Sequence, residues 1–137
     1  MNNLTYEQIF IYNNNAMNKK ITLKTIDKME TILNLTSDSS RIKILLSLLD
    51  MNVCQDKDCK RDCLKCQNRI EKSVGEIVTE VGLEQSLVSH QLKILKDGRL
   101  ISSRREGKRI LYYLADHHVK LLLDVVLEHV MEDEKND

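Results

Sequence analysis

No proline interrupts this 137-residue chain, and its four glycines all fall between residues 75 and 107. Proline breaks a helix by removing a donor and crowding the preceding turn, and glycine supplies the backbone conformations that turns need. Outside that window the chain is free to run as long helices, and inside it the chain must turn repeatedly. "SVGEIVTEV" predicts a short helix, Gly82 a turn, and "EQSLVSHQLKILKD" a longer helix stopped by Gly98. "LISSRR" and "KRILYYL" are two β-suited runs joined by a turn at Glu106-Gly107.

Helix, turn, helix and then a hairpin with a basic tip is the layout of a winged helix-turn-helix. The rest of the chain frames it with helices. Leu23, Ile26, Met29, Ile32 and Leu33 form a helical stripe within Thr22 to Leu35. Ser37 and Asp38 are capping residues for a second helix carrying Ile42, Leu45, Leu46 and Leu49. "DHHVKLLLDVVLEHVMEDE", residues 116 to 134, predicts a last long helix with a stripe through Val119, Leu122, Leu123, Val126, Leu127 and Val130. Residues 1–20 are Asn-rich and read as a loosely ordered arm with a short helix around Leu4 to Ile11. Residues 21–137 then form one mainly α domain with a β-hairpin wing, interrupted by a polar, cysteine-bearing insert at 51–71.

The net charge of zero hides a segregation. Residues 85–113 carry seven Lys and Arg against two acids, and residues 114–137 carry seven acids against two Lys. A basic segment beside an acidic one implies two jobs at two sites. No apolar run approaches the roughly 18 residues of a membrane span, and the start lacks a basic region followed by an apolar one. A cytoplasmic protein is expected, with cysteines serving as ligands or thiols rather than disulfides. No phosphate-cradling glycine loop, nucleophile elbow or zinc-protease motif is present, which argues against an enzyme.

On the longer of the two central helices, Val88, Leu92 and Leu95 share one side, and Ser86, Ser89, His90 and Lys93 the other, with Gln85 at its start. Small and hydrogen-bonding side chains on an exposed face suit reading base edges, and they equally suit an ordinary solvated surface. The basic hairpin that follows favours the first reading, because Arg104, Arg105 and Lys108 stand where phosphate contacts would be needed.

The last helix carries donor pairs at both ends, Asp116 with His118 and His129 with Glu132. The histidines are eleven positions apart, about 16 Å of helix, too far for one ion. His129 and Glu132 are three apart and share a face. Asp116 and His118 would diverge by about 200° within a regular helix and converge only if Asp116 sits at its N-terminal boundary. Each end is then half of a site, and laying the helix antiparallel against a twin completes two sites by symmetry. Two imidazoles with two carboxylates favour Zn(II) first and Co(II) second. The alternative is an acidic helix with surface histidines. Cys54, Cys59, Cys63 and Cys66 lie within thirteen residues, enough thiols to wrap one soft ion. A structural zinc, a second sensing site, an iron–sulfur cluster and unligated thiols all remain open there.

Through "SDSSRIKILLSLL", "SLVSHQLKILKDGRLISSRREGKRILYYL" and "DHHVKLLLDVVLEHVMEDE", the chain from about Ile26 to Glu134 resembles the ArsR/SmtB family of metal-responsive repressors. The resemblance implies a homodimer, here through the first and last helices, that binds twofold-related operator DNA when metal-free and leaves it when metal binds. Asp-x-His, ten residues, then His-x-x-Glu matches the family's zinc-sensing pattern. It implies Zn(II) held by Asp116 and His118 of one subunit with His129 and Glu132 of the other. Many cadmium- and lead-sensing relatives carry paired cysteines at the start of the first helix of the motif, where "EKSVGEI" has Ser73. A sensor of softer metal (Cd, Pb or Cu) or of redox state through Cys54 to Cys66 is therefore the alternative, and a protein-contact module a further rival. The resemblance does not reach residues 1–20 or 51–71.

Overall fold

The computed structural model describes residues 10–14, 17–49 and 69–136. In chain order the elements are β1 (Phe10–Asn14), β2 (Met17–Ile21), α1 (Leu23–Leu35), α2 (Ser39–Ser47), β3 (Lys72–Ser73), α3 (Val74–Val81), α4 (Gln85–Asp97), β4 (Ile101–Glu106), β5 (Arg109–Leu114) and α5 (His117–Asn136). β1 and β2 pair antiparallel, and β3, β5 and β4 form a second antiparallel sheet in that order. This is a winged helix-turn-helix, with α3 and α4 as its helices and β4–β5 as its wing.

α1, α2 and α3 begin where side chains satisfy their first backbone donors, whereas α4 has no side-chain cap. Thr22 accepts from the Thr25 N–H at 3.2 Å, and Asp38 from Ser40 and Arg41 at 2.9 and 3.2 Å. Ser73 and Glu76 cap α3 reciprocally. The stripes of α2, α3 and α4 then meet in one core around Ile44, Leu45, Ile77, Val88, Leu92 and Leu95. Among the described residues no helix is long and apolar enough to cross a membrane.

Three expectations need correction. The short helix placed around Leu4 to Ile11 meets a strand from Phe10 onward, and residues 4–9 lie outside the described ones. Phe10, Ile11 and Tyr12 are aromatic and β-branched, and the asparagines after them favour a turn. The wing carries a third strand, β3, which is only two residues long and so gives no periodic signal. The wing turn is Gly107-Lys108, not Glu106-Gly107: Glu106 pairs with Arg109, and Gly107 takes φ +60. Gly98 does stop α4, as expected, but without a left-handed backbone. It keeps φ −77, and Arg99 takes φ +61 instead, while the Leu100 N–H reaches back to the Leu95 carbonyl at 3.0 Å. Gly98 also faces α1: a Cβ there would lie 2.3 Å from Leu35 Cδ1, the movable end of that side chain, and 3.3 Å from the Ile94 carbonyl oxygen.

α1 contains no buried residue, and α5 buries only Val119. Leu23, Met29 and Leu33 on α1, and Val125, Val126 and Val130 on α5, stand exposed. Two amphipathic helices thus leave apolar faces without a partner among the described residues.

Candidate functional site

α4 presents its faces as its sequence pattern dictates. Val88, Leu92 and Leu95 are fully buried, while Gln85, Ser86, Ser89, His90 and Lys93 are exposed. One polar residue breaks the pattern. Gln91 is 8 % exposed, and its Oε1 accepts from Arg41 Nη1 at 3.1 Å.

The wing's charges differ in availability. Arg104 donates through Nε at 2.7 Å to Glu71, and its Nη2 lies 3.3 Å from Glu106. The other oxygen of Glu71 takes Arg69 at 2.6 Å, and the Arg69 guanidinium stacks 3.7 Å over the Tyr113 ring. Glu71 is thereby pulled down to about 2, first by the hydrogen bond from Arg104 and then by that from Arg69. The same pairing raises Arg104 above its ordinary value. Arg109 is tied to Glu76 at 3.0 Å. Arg105, by contrast, donates to the Gly107 carbonyl at 3.3 Å and meets no carboxylate among the described residues, and Lys108 stands exposed at the turn. Sequence reasoning missed Arg69 and Glu71, because both lie in the stretch read as insert.

At the start of α5, Asp116 sits just outside the helix and accepts the Val119 N–H at 3.1 Å. The same carboxylate lies 3.6 Å from His118 Nδ1, so these two donors do converge. His117 is exposed beside them. At the far end the carboxylate beside His129 Nε2 is Asp133, 3.6 Å away, rather than the expected Glu132, which lies one residue nearer in sequence. The two ends share no group of three or more donors, and none occurs elsewhere among the described residues. Asp116 and His118 also line a cleft of about 500 Å³ with Lys28 and Ile32 of α1 and with Gly98 and Arg99 at the exit of α4. Cys54, Cys59, Cys63 and Cys66 lie outside the described residues.

A family model described as "Bacterial regulatory protein, arsR family" matches residues 67–103, which hold α3, α4 and the start of the wing. A transcriptional repressor SmtB homolog from Synechocystis is 27% identical over 83% of this chain and 72% of its own length. The transcriptional regulator NmtR of Mycobacterium tuberculosis is 43% identical over 41% of this chain, which spans less than half, 47%, of that protein. A homodimeric winged helix-turn-helix DNA-binding domain from Mycobacterium bovis superposes with a TM-score of 0.65 at 24% identity, covering 83% of this chain and 88% of that one, a likeness of fold.

Proposed function

Because this chain carries an ArsR-family helix-turn-helix domain, a module of DNA-binding regulators and not of enzymes, we propose that it is a metal-responsive transcriptional repressor. In this reading it is a cytoplasmic homodimer that holds twofold-related operator DNA when metal-free and releases it on binding Zn(II) at two inter-subunit sites. The observation that carries the reading is the coincidence on α5 of an unpartnered apolar face with a donor pair at each end. A second α5 laid antiparallel would cover the one and complete the other.

The donor set suits zinc. Two neutral imidazoles and two carboxylates make a four-ligand N/O site, and the Asp116 carboxylate already faces the His118 ring. Bound Zn(II) would supply a charge-dense crosslink between subunits. The chain's own residues transmit it. Asp116 and His118 share their cleft with Arg99, so ligation at this end stands against the corner that closes the recognition helix. In the antiparallel pairing, His129 of the second subunit arrives at the same cleft. There its outer ring N–H would donate to a backbone carbonyl near Arg99. Gln85, Ser86, Ser89, His90 and Lys93 face the bases, and Arg105 and Lys108, with Arg104, face phosphates.

The test combines metal analysis of the purified protein with DNA binding in the presence and absence of zinc. His129→Ala is expected to bind operator normally and ignore zinc. Release at the wild-type zinc concentration would move sensing to Cys54, Cys59, Cys63 and Cys66, the softer-metal or redox alternative. One observation favours that alternative: Arg69, three residues past Cys66, is fastened to the wing through Glu71 and Tyr113. Changing the four cysteines to serine separates the two readings.

A further inference from the structure

Arg41 on α2 is bonded to both of the helices that the proposed function sets at opposite ends of the signal. Its Nε donates to the Leu35 carbonyl at 2.7 Å, and its Nη2 to the Asn34 carbonyl at 3.4 Å. These are among the last carbonyls of α1, at its negative dipole end; the Asn34 carbonyl also accepts from the Ser37 N–H at 3.2 Å and Oγ at 2.7 Å. The third arm, Nη1, donates to Gln91 Oε1, buried on α4. A planar guanidinium fixes the relative directions of all three acceptors. No side chain of α1 is buried, and among the described residues the hydrogen bonds that tie it to α2 are made at its last turn. That turn also sets Leu35 Cδ1 against the face of Gly98. Gln91 and Gly98 are seven residues apart, roughly two turns on one face of α4. One contact point would leave a pivot. Two define an angle.

We propose that Arg41 and Gln91 are positioning residues that set the orientation of α4 relative to α1, and through it the operator half-site spacing the dimer accepts. The inference rests on the reading above, in which α1 packs at the subunit interface and α4 enters the major groove. A buried amide oxygen that loses its donor keeps its desolvation cost, so neither partner is replaceable alone.

The experiment uses full-length protein and a duplex library with two randomised arms separated by a spacer of varied length, selected and sequenced. Wild type should enrich one spacing. Gln91→Met removes the acceptor at similar volume and should broaden the distribution. Its preference for the wild-type spacing over the next should fall about tenfold, the ratio that ~1.4 kcal/mol of discrimination sets. Gln91→Glu restores an acceptor for the same guanidinium and should restore the single spacing. A purely structural role would lower the melting temperature and leave the spacing of the folded dimer unchanged, and that result overturns the proposal. Should Gln91→Met fail to fold, Arg41→Lys decides on the same two outcomes, since one ammonium cannot span acceptors on both helices. If wild type itself enriches no DNA, the reading beneath fails and the inference with it, and the wild-type arm alone reveals that case.

Discussion

Glu71 holds Arg104 at 2.6 Å through one carboxylate oxygen and Arg69 at 2.6 Å through the other. One acid thus engages two guanidiniums beside the wing, and one of them belongs to the set expected to meet phosphate. A phosphodiester must compete with Glu71 for Arg104. Glu71→Gln removes the competitor while keeping a hydrogen-bonding group, so DNA affinity should rise several-fold. The log–log salt dependence should steepen by about 0.9 for each further phosphate that the freed arginine neutralises. Anisotropy titrations across salt concentrations measure both. An unchanged slope would mean that Arg104 does not reach DNA.

The same cluster shapes the response to acid. Arg104, and after it Arg69, lower Glu71 to about 2 from an ordinary 4.5. The Ser73 N–H, and after it Arg109, lower Glu76 as well. A depressed carboxylate stabilises the fold above its unfolded pKa and loses that contribution as pH falls through the folded one. For Glu71 the window runs from 4.5 down to about 2. Urea midpoints should therefore fall less between pH 5 and pH 3, roughly spanning the start of that window, for Glu71→Gln than for wild type. High salt should shrink the difference, because the pairs are at the surface.

Wing neutralisation should sort by pairing. Arg105 and Lys108 have no acidic partner among the described residues, whereas Arg104 and Arg109 do. Arg105→Gln and Lys108→Gln should each weaken binding to all sequences alike. Arg109→Gln should cost less affinity and instead release Glu76. A change of sequence preference without loss of affinity would refute the phosphate assignment.

Asp116 has two roles on one carboxylate, helix cap and proposed metal ligand. Asp116→Asn keeps an oxygen for the Val119 N–H and should preserve stability while weakening zinc binding. Asp116→Ala should lose zinc binding and also about 1 kcal/mol of stability, the usual value of an N-cap. Equal denaturation midpoints for the two variants would show that the cap contributes nothing.

Much of this was legible because local rules act within a few residues. The glycines and the β-suited runs located α3, α4 and the wing, and the two-residue gap between Asp116 and His118 required a helix boundary that is found there. Contacts between distant segments were not legible. The angles around α4 explain Val88 and Leu92, but Gln91 is buried through Arg41, fifty residues earlier. Gly98 was legible as the stop of α4, but sequence does not show Leu35 lying over it. The β1–β2 hairpin was misread although Phe10, Ile11 and Tyr12 carried its signal, since the surrounding asparagines suggested an unstructured arm.

Arg99 offers the sharpest separation of stability from signalling. It sits at φ +61, where a non-glycine residue costs roughly 1–2 kcal/mol. Glycine removes that cost and gives back about 0.4–1 kcal/mol through a freer unfolded chain. Arg99→Gly should therefore stabilise the protein by about 0.5–1 kcal/mol, read as a higher urea midpoint. Arg99→Asn, which tolerates the left-handed region better than arginine, should fall between. The corner also lines the cleft shared with Asp116 and His118. If ligation is transmitted through it, a glycine there should loosen the coupling, so the more stable variant should need more zinc to leave DNA. Any change of DNA affinity from losing the arginine charge falls on both states, so the readout is the ratio of affinities with and without zinc. Arg99→Asn removes the same charge and controls for it. A stabilised Arg99→Gly with an unchanged ratio would show that the signal travels by another route.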